Sequence, residues 1–195
     1  MSKINDAALK QLFFDARTQN GWLDKPLPDA LLREIYDIAK MGATSMNTQP
    51  MRVLFLRSAE AKQRLAPALA PANLEKTMAA PVCAIVARDK RFYEFMPKIW
   101  FRPGAEEMFA GNAPLAAATA QRNATLQGAY LMIAARALGV DCGPMSGFDA
   151  AKVNAEFFPE GRWETDFLCN LGYGDPSKLF ERQPRHDFDT ACRLL

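Results

Sequence analysis

The sequence is poor in the residues that most often carry catalysis and metal binding. It contains one histidine, His186, and four cysteines, none of which forms a Cys-x-x-Cys pair. Structural zinc sites combine four cysteine or histidine ligands, so we expect no metal site. A Ser-His-Asp triad is equally unexpected, because the single histidine would have to serve as its base. We interpret the cysteines as reduced thiols in a cytoplasmic protein.

Long apolar runs and an excess of one charge are also missing. The longest fully apolar run, residues 78–87, has ten residues, whereas a membrane helix needs about 20. The first six residues include an acid and no apolar segment, so no signal peptide is expected. Twenty-four Lys and Arg face 22 Asp and Glu, a net charge of +2. This balance does not indicate a nucleic-acid-binding protein, and we expect neither a membrane nor a nucleic-acid partner.

The two common nucleotide-binding motifs are absent. There is no Gly-x-Gly-x-x-Gly after a predicted strand, and no Gly-x-x-x-x-Gly-Lys-Ser/Thr. A dinucleotide site of the Rossmann type and a P-loop are therefore both unsupported. The segment Gly172-Tyr-Gly174 follows a predicted strand, but two such glycines most simply form a turn.

What is present indicates one α+β domain over residues 1–195. The length suits a single domain, and 49% of the residues are hydrophobic. Apolar spacing and capping residues predict helices at residues 5–17, after Pro28, after Ser58, and at residues 73–78, 114–138 and 149–157. Continuous apolar runs predict buried strands at residues 53–56, 82–87 and 167–171. Residues 143–147 are expected to form a loop, the aromatic stretch 89–113 a mobile flap or a short helical excursion, and the chain from Gly172 an extended tail.

Five polar constellations could bind a ligand, and each has a simpler structural explanation. Residues 17–22 offer an arginine fork and neutral donors for a phosphate, or they form a helix end and a turn. Residues 44–50 are a polar loop before a strand. Asn73 and Lys76 lie on one helical face and could grip a heterocyclic carbonyl, or could face solvent. Residues 143–147 could present backbone N–H groups to a flat ligand, and the basic tail could bind phosphate or merely add charge.

The order of these blocks resembles the nitroreductase family of FMN-dependent NAD(P)H oxidoreductases. Within that family the likeness is greatest to the subgroup of malonic semialdehyde reductases of pyrimidine utilisation. The resemblance covers nearly the whole chain and rests on the co-occurrence of several weak blocks in a fixed order. These blocks are residues 16–22, 42–47, 73–76, 122–123, 143–148 and 171–179.

The resemblance implies a homodimer with two FMN sites at the subunit interface and a C-terminal segment exchanged between subunits. The fold it implies has a mostly antiparallel central sheet of four or five strands flanked by helices. NADH or NADPH is the implied reductant, and a small molecule is the acceptor. The implied cofactor-binding residues are Arg17, Thr18, Asn20, Ser45, Asn47, Asn73, Lys76, Pro144, Met145, Ser146, Gly147, Lys178 and Arg182.

Each part of this set has an implied role. Arg17, Thr18 and Asn20 match the block that holds the phosphate and ribityl chain, and the tail residues match further phosphate contacts. Ser45 and Asn47 match a loop that the partner subunit supplies, and residues 144–147 match the loop beneath the flavin N5. Two departures stand out: many relatives carry arginine where Ala16 stands and a basic residue where Asn20 stands. Binding of the phosphate is therefore expected to depend on Arg17 and on the basic residues of the tail.

The residues fit a reaction in which the flavin carries the chemistry and no catalytic side chain is identified. Asn73 and Lys76 match the pair at the polar edge of the flavin ring, where the Lys76 ammonium would stabilise negative charge. Three hypotheses follow. The protein reduces malonic semialdehyde to 3-hydroxypropionate by ping-pong hydride transfer, with Arg102 or Lys98 holding the carboxylate; it is a broader quinone or nitroarene reductase; or it binds flavin without turnover.

Overall fold

A four-stranded antiparallel sheet forms the centre of the computed structural model, which describes residues 2–195. Its strands are β1 (Met51–Leu56), β2 (Val82–Asp89), β3 (Asp141–Met145) and β4 (Trp163–Gly172). Their order in the sheet is β1-β2-β4-β3, and all three neighbouring pairs are antiparallel. This arrangement confirms the predicted α+β fold and the antiparallel sheet.

Helices cover both faces of the sheet. They are α1 (Asp6–Leu9), which continues as a π-helical turn over Lys10–Phe14, α2 (Asp29–Ala39), α3 (Ala59–Leu65), α4 (Pro71–Ala79), α5 (Met96–Ile99), α6 (Ala105–Ala110), α7 (Ala113–Ala137), α8 (Ala150–Phe157) and α9 (Phe188–Ala191). Three helices begin at a side-chain cap: the side chains of Asn5, Ser58 and Asp149 each accept a hydrogen bond from a backbone N–H three residues later. The first helix stops at Phe14, three residues before its predicted end.

Two apolar layers sandwich the sheet. On one face, α2 and α7 pack against side chains that include Val86 and Leu171. On the other face, Leu65 of α3 and Val153 of α8 pack with Leu168. Helix α7 lies very close to the sheet, because a Cβ built on Gly128 would sit 2.6 Å from the Phe167 ring. Small residues on α7 make this approach possible, as its composition predicts.

Residues 143–147 are not the predicted loop, because residues 141–145 form strand β3. Pro144 lacks an N–H and so argues against a strand in the middle of a sheet. Here β3 is a sheet edge, where proline is tolerated, and Pro144 lies opposite Cys169 of β4. The other side of β3 is met by the segment after the π turn, since Gln19 N donates to Cys142 O at 3.0 Å. Of the five residues in the predicted loop, only Ser146 and Gly147 lie outside the strand, in the connection between β3 and α8.

The aromatic stretch forms a short helical excursion, the second of the two predicted alternatives. A 3-10 turn (Phe92–Phe95), α5 and α6 enclose the buried residues Phe92, Met96 and Phe109, which pack on α7. The carboxylate of Asp89 anchors the start of this excursion. It is fully buried and accepts hydrogen bonds from Arg52 (2.8 Å) and Arg162 (3.0 Å). The excursion is therefore a packed part of the domain.

The chain beyond β4 is largely extended and exposed, as predicted. A single 3-10 turn (Pro176–Lys178) and the short α9 interrupt it. Residues 180–195 are all exposed within the chain. Among residues 2–195 there is no helix whose length and apolar character would suit a membrane crossing.

We predict that thiol reactivity separates the four free cysteines. Cys83, Cys142 and Cys169 are buried and Cys192 is exposed. Burial raises the pKa of Cys83 to about 12, so that only about one molecule in ten thousand carries this thiolate at pH 8. Ellman's reagent should therefore react quickly with Cys192, and with the other three only in denaturant. The variant Cys192→Ser should lose the fast phase, and a fast phase that survives in it would contradict the described burial.

Candidate functional site

Four arginines surround a cleft between the first segment of the chain and its tail. Arg17, Arg136, Arg182 and Arg185 line this cleft, which has a volume of about 540 Å³ and also includes Asn20. Within residues 2–195, none of the four forms an ion pair with a carboxylate. Guanidinium groups without acidic partners are suited to bind a phosphate or carboxylate. We refer to this feature as the arginine cleft.

Hydrogen bonds across the arginine cleft tie the tail to residues 13–20. Arg17 Nη2 donates to Phe180 O. In the opposite direction, Arg182 Nη2 donates to Phe14 O at 2.6 Å and to Ala16 O at 3.0 Å. The side chain of Lys178 lies against Gly21, where a Cβ would come within 2.5 Å of Lys178 Cγ. The structure therefore brings together the N-terminal and C-terminal residues that the sequence assigned to one phosphate site.

Lys76 lies beside this cleft, on α4. Its Nζ donates to Asn20 Oδ1 at 3.2 Å, and Asn20 itself lines the cleft. Burial lowers the pKa of Lys76 below that of an ordinary lysine. Because Asn20 is a neutral acceptor, it orients the ammonium without neutralising its charge. Asn20 thus contacts Lys76, a relation that the sequence did not indicate.

Asn73, one turn earlier on α4, lies against the connection that follows β3. Asn73 Nδ2 donates to Gly147 O at 2.9 Å, and a Cβ built on Gly147 would sit 2.6 Å from the same Nδ2. A glycine is therefore needed for this close approach. Nearby, the hydroxyl of Thr77 contacts Met145 Sδ at 3.6 Å. Helix α4 therefore contacts this segment at two points, through Asn73 at Gly147 and through Thr77 at Met145.

Ser45 and Asn47 lie elsewhere in the chain, in a strained loop. Met46, Asn47 and Gln49 have positive φ angles of 50°, 54° and 42°, which non-glycine residues rarely adopt and which often mark functional sites. The loop is held by Ser45 N donating to Asn123 Oδ1 at 2.8 Å and by Asn47 Nδ2 donating to Ile99 O at 2.8 Å. Within residues 2–195, these two side chains form no hydrogen bond with the arginine cleft or with Lys76.

Some residues of the site were not singled out by sequence reasoning. Arg136 lines the cleft, but it lies in a long helix, where arginine is common. Arg185, which also lines the cleft, belongs to the basic tail that the sequence offered as a possible phosphate donor. Asn123 was part of a quoted block without a role, and its buried amide now anchors the strained loop. Trp22 ended another block, and its Nε1 donates to Lys76 O at 2.9 Å. A side chain that serves a distant carbonyl leaves no periodic signal in the sequence.

Known proteins resemble this chain in sequence and in fold. The sequence profile described as "Nitroreductase family" matches residues 17–173. A protein of Burkholderia lata is 55% identical over 194 residues, covering 100% of both chains, and bears the provisional name NADH dehydrogenase/NAD(P)H nitroreductase. A protein of Ralstonia nicotianae with the same provisional name is 51% identical over 195 residues, again covering 100% of both.

Solved structures share the fold at low sequence identity. A provisionally named nitroreductase from Bacillus subtilis superimposes with a TM-score of 0.85 at 19% identity, covering 98% of this chain and 100% of that one. Another from Exiguobacterium sibiricum, solved in complex with FMN, has a TM-score of 0.79 at 17% identity and covers 100% of both chains. At these identities the likeness concerns the fold.

Proposed function

The chain belongs to the nitroreductase family, and on this premise we propose that it reduces malonic semialdehyde to 3-hydroxypropionate. It is an oxidoreductase of the type that uses FMN and NAD(P)H. One observation carries the assignment of the FMN site. Asn20 lines the arginine cleft and accepts a hydrogen bond from Lys76, and Asn73 lies one turn before Lys76 on the same helix.

The donors present fit the two ends of FMN. Arg17, Thr18 and Arg182 are suited to bind a phosphate dianion, because none of them has an acidic partner among the described residues. Lys178 adds a further cation nearby. The polar edge of the flavin ring suits the amide of Asn73 and the ammonium of Lys76. The loop after β3 ends on Gly147, whose missing side chain leaves room beside Asn73. We assign these residues to FMN binding, together with the backbone of residues 144–147.

FMN, when bound, supplies hydride transfer from NAD(P)H to the acceptor. In the overall reaction the aldehyde carbon gains a hydride and its oxygen a proton, while NAD(P)H becomes NAD(P)⁺. Lys76 provides fixed positive charge where negative charge develops. No neighbouring acid offsets the positive charge of the ammonium, because Asn20 is neutral and no carboxylate among residues 2–195 pairs with Lys76. The scheme requires no histidine, which agrees with the composition.

We assign the substrate carboxylate to residues 98–102 of the aromatic excursion, which we call its cationic apex. Trp100 and Phe101 stack with their ring centroids 4.5 Å apart, and the Arg102 guanidinium lies 5.1 Å from the Phe101 ring. Lys98 is exposed on the same excursion. The hydrogen bond from Asn47 to Ile99 O connects this apex to the strained loop. The apex therefore offers a cation and an aromatic surface to a small acid, and either Arg102 or Lys98 could supply the charge.

The function is tested by anaerobic reduction followed by a panel of acceptors. The purified protein is loaded with FMN, reduced with NADH or NADPH, and mixed with malonic semialdehyde, a quinone or a nitroarene while the flavin absorbance is followed. We expect reduction by the nicotinamide and fastest reoxidation by the semialdehyde. Fastest reoxidation by the quinone or nitroarene would favour the broader reductase, in line with the names of the relatives. Failure of both nicotinamides to reduce the flavin would favour a flavin-binding protein without turnover.

We further propose that two chains form a homodimer in which each supplies Ser45 and Asn47 to the other's FMN. Three surfaces support this arrangement. Helix α7 exposes a shallow depression of about 610 Å³, which is lined by Ala118, Gln121, Arg122, Thr125, Leu126 and Ala129. Strand β1 is a free sheet edge, beside a groove of about 860 Å³ between it and α2. The extended tail, exposed within its own chain, is suited to cross and cover a partner's edge.

We predict a dimer in light scattering at micromolar concentration. Ala118→Glu should shift the protein towards monomer, because it places a charge in the α7 depression, where close packing is expected. Ala151→Glu is the matched control, since Ala151 is exposed on α8, on the opposite face of the sheet. A wild-type monomer, or equal dissociation by both variants, would contradict the assigned interface.

We predict that Arg17→Ala weakens FMN binding. A charge-assisted phosphate contact contributes ~1.5–3 kcal/mol, so the Kd should rise roughly tenfold to a hundredfold. The measurement is quenching of flavin fluorescence on titration. Arg64→Ala is the control, because Arg64 of α3 forms an exposed ion pair with Glu156 of α8. An unchanged Kd in Arg17→Ala would show that Arg17 serves only to hold the tail.

We predict that Lys76→Met lowers the midpoint potential of the bound flavin more than it weakens folding. The loss of a charge-assisted contact of ~1.5–3 kcal/mol corresponds to ~30–60 mV for a two-electron couple. Anaerobic spectroelectrochemistry measures the potential, and Lys152→Met, at an exposed lysine on α8, is the control. An unshifted potential in a folded, flavin-loaded Lys76→Met protein would place this ammonium outside the electrostatic reach of the flavin.

A further inference from the structure

The C-terminal turn of α4, which carries Lys76, ends without the usual backbone cap. The last carbonyls of a helix have no partner within the helix and need donors from elsewhere. After α4 the chain turns away at Ala80, with φ −64° and ψ 140°. The next residue is Pro81, which has no N–H to donate. Side chains from other parts of the chain therefore have to satisfy these carbonyls.

Three side chains supply the missing donors. Lys62 of α3 is buried, and its Nζ donates to Met78 O and Ala80 O, both at 2.6 Å. Trp22 Nε1 donates to Lys76 O at 2.9 Å, and Asn170 Nδ2 of β4 reaches the same oxygen at 3.4 Å. The last turn of α4 is thus fixed to a helix, a strand and the segment after the π turn.

The Trp22 bond differs from the other two because it joins the two halves of the proposed FMN site. Trp22 belongs to the same short segment as Arg17 and Asn20, and its bond ends on the backbone of Lys76. The indole is held rigidly, because a Cβ on Gly143 would lie 3.2 Å from it and a Cβ on Gly172 only 2.7 Å. A backbone bridge to Gly174 fixes the main chain of Trp22 as well.

We propose that Trp22 is a positioning residue for Lys76. Its indole N–H fixes the backbone of Lys76 relative to Asn20, so that the ammonium and the Asn20 carboxamide stay 3.2 Å apart. The Lys76 side chain has four rotatable bonds, and its hydrogen bond to Asn20 restricts them as long as the backbone of Lys76 keeps its position relative to Asn20. The proposal rests on the proposed function, because the position of the ammonium matters most if an anionic flavin edge lies beside it.

The first test compares Trp22→Phe with the matched control Trp163→Phe. Trp22→Phe keeps an aromatic ring and removes the N–H, and Trp163 packs against Phe158 far from α4. Loss of one neutral hydrogen bond corresponds to roughly a three- to tenfold change in an equilibrium constant. We expect the Kd for FMN to rise by this factor and the midpoint potential to fall in Trp22→Phe, and neither to change in Trp163→Phe.

The second test separates positioning from a merely structural role by a double-mutant cycle. Trp22→Phe is combined with Lys76→Met, and the midpoint potential is measured in all four proteins. If Trp22 acts through the Lys76 ammonium, Trp22→Phe lowers the potential in the wild-type background and leaves it unchanged in Lys76→Met. An equal fall in both backgrounds, or no fall in a Trp22→Phe protein with wild-type circular dichroism, would overturn the proposal.

Two further outcomes remain interpretable. Should Trp22→Phe fail to fold, Asn170→Ala removes the second donor to the same carbonyl and enters the same cycle; an effect independent of Lys76 would again contradict positioning. Within residues 2–195, Asn170 Oδ1 is buried without a donor, so this residue serves the site through its N–H groups. Failure of the wild-type protein to bind FMN would reject the proposed function instead, since the cycle could not then begin.

Discussion

The candidate site depends on how the backbone of residues 18–23 is held between β3 and the start of the tail. Gln19 N donates to Cys142 O at 3.0 Å on one side, and Leu23 N donates to Tyr173 O at 2.8 Å on the other. Glycines 143 and 174 leave room for this approach, since a Cβ on Gly143 would meet Gln19 O at 2.8 Å. These bonds place Arg17 and Asn20 beside the tail and Trp22 within hydrogen-bond reach of α4.

The distribution of carboxylates explains why this region carries positive charge in a nearly neutral protein. At the start of the aromatic excursion, the buried carboxylate of Asp89 is paired with Arg52 and Arg162, and the hydrogen bond to Asp89 raises the pKa of Arg162. A buried charge without such partners would be very unfavourable. The arginine cleft shows the opposite arrangement, with four guanidinium groups that find backbone carbonyls or solvent instead of acids. The first arrangement stabilises the fold, and the second is suited to receive an anionic ligand.

The strained loop at residues 45–49 shows a different kind of specialisation. Three non-glycine residues with positive φ are unfavourable, and they persist because buried amides of α7 hold the segment: Asn123 accepts from Ser45 N and Gln127 accepts from Met51 N. The same loop holds the aromatic excursion through Asn47. Within residues 2–195, the side chains of Ser45 and Asn47 form no hydrogen bond with Lys76 or with the arginine cleft. The strain is understandable if the loop serves a second chain, as the proposed homodimer requires.

The sequence by itself determined the features that depend on neighbouring residues along the chain. The cap at Ser58, the helices α2 and α7 and three of the four strands follow from local spacing, and the order of the polar blocks indicated the family. Only the tertiary structure decided that residues 141–145 form an edge strand, that Asn20 faces Lys76, that Arg136 lines the arginine cleft, and that the Trp22 indole donates to the backbone of Lys76. It also separated Ser45 and Asn47 from the rest. These features are hydrogen bonds and close approaches between segments far apart in sequence, and packing selects such pairs without leaving a periodic pattern in either segment.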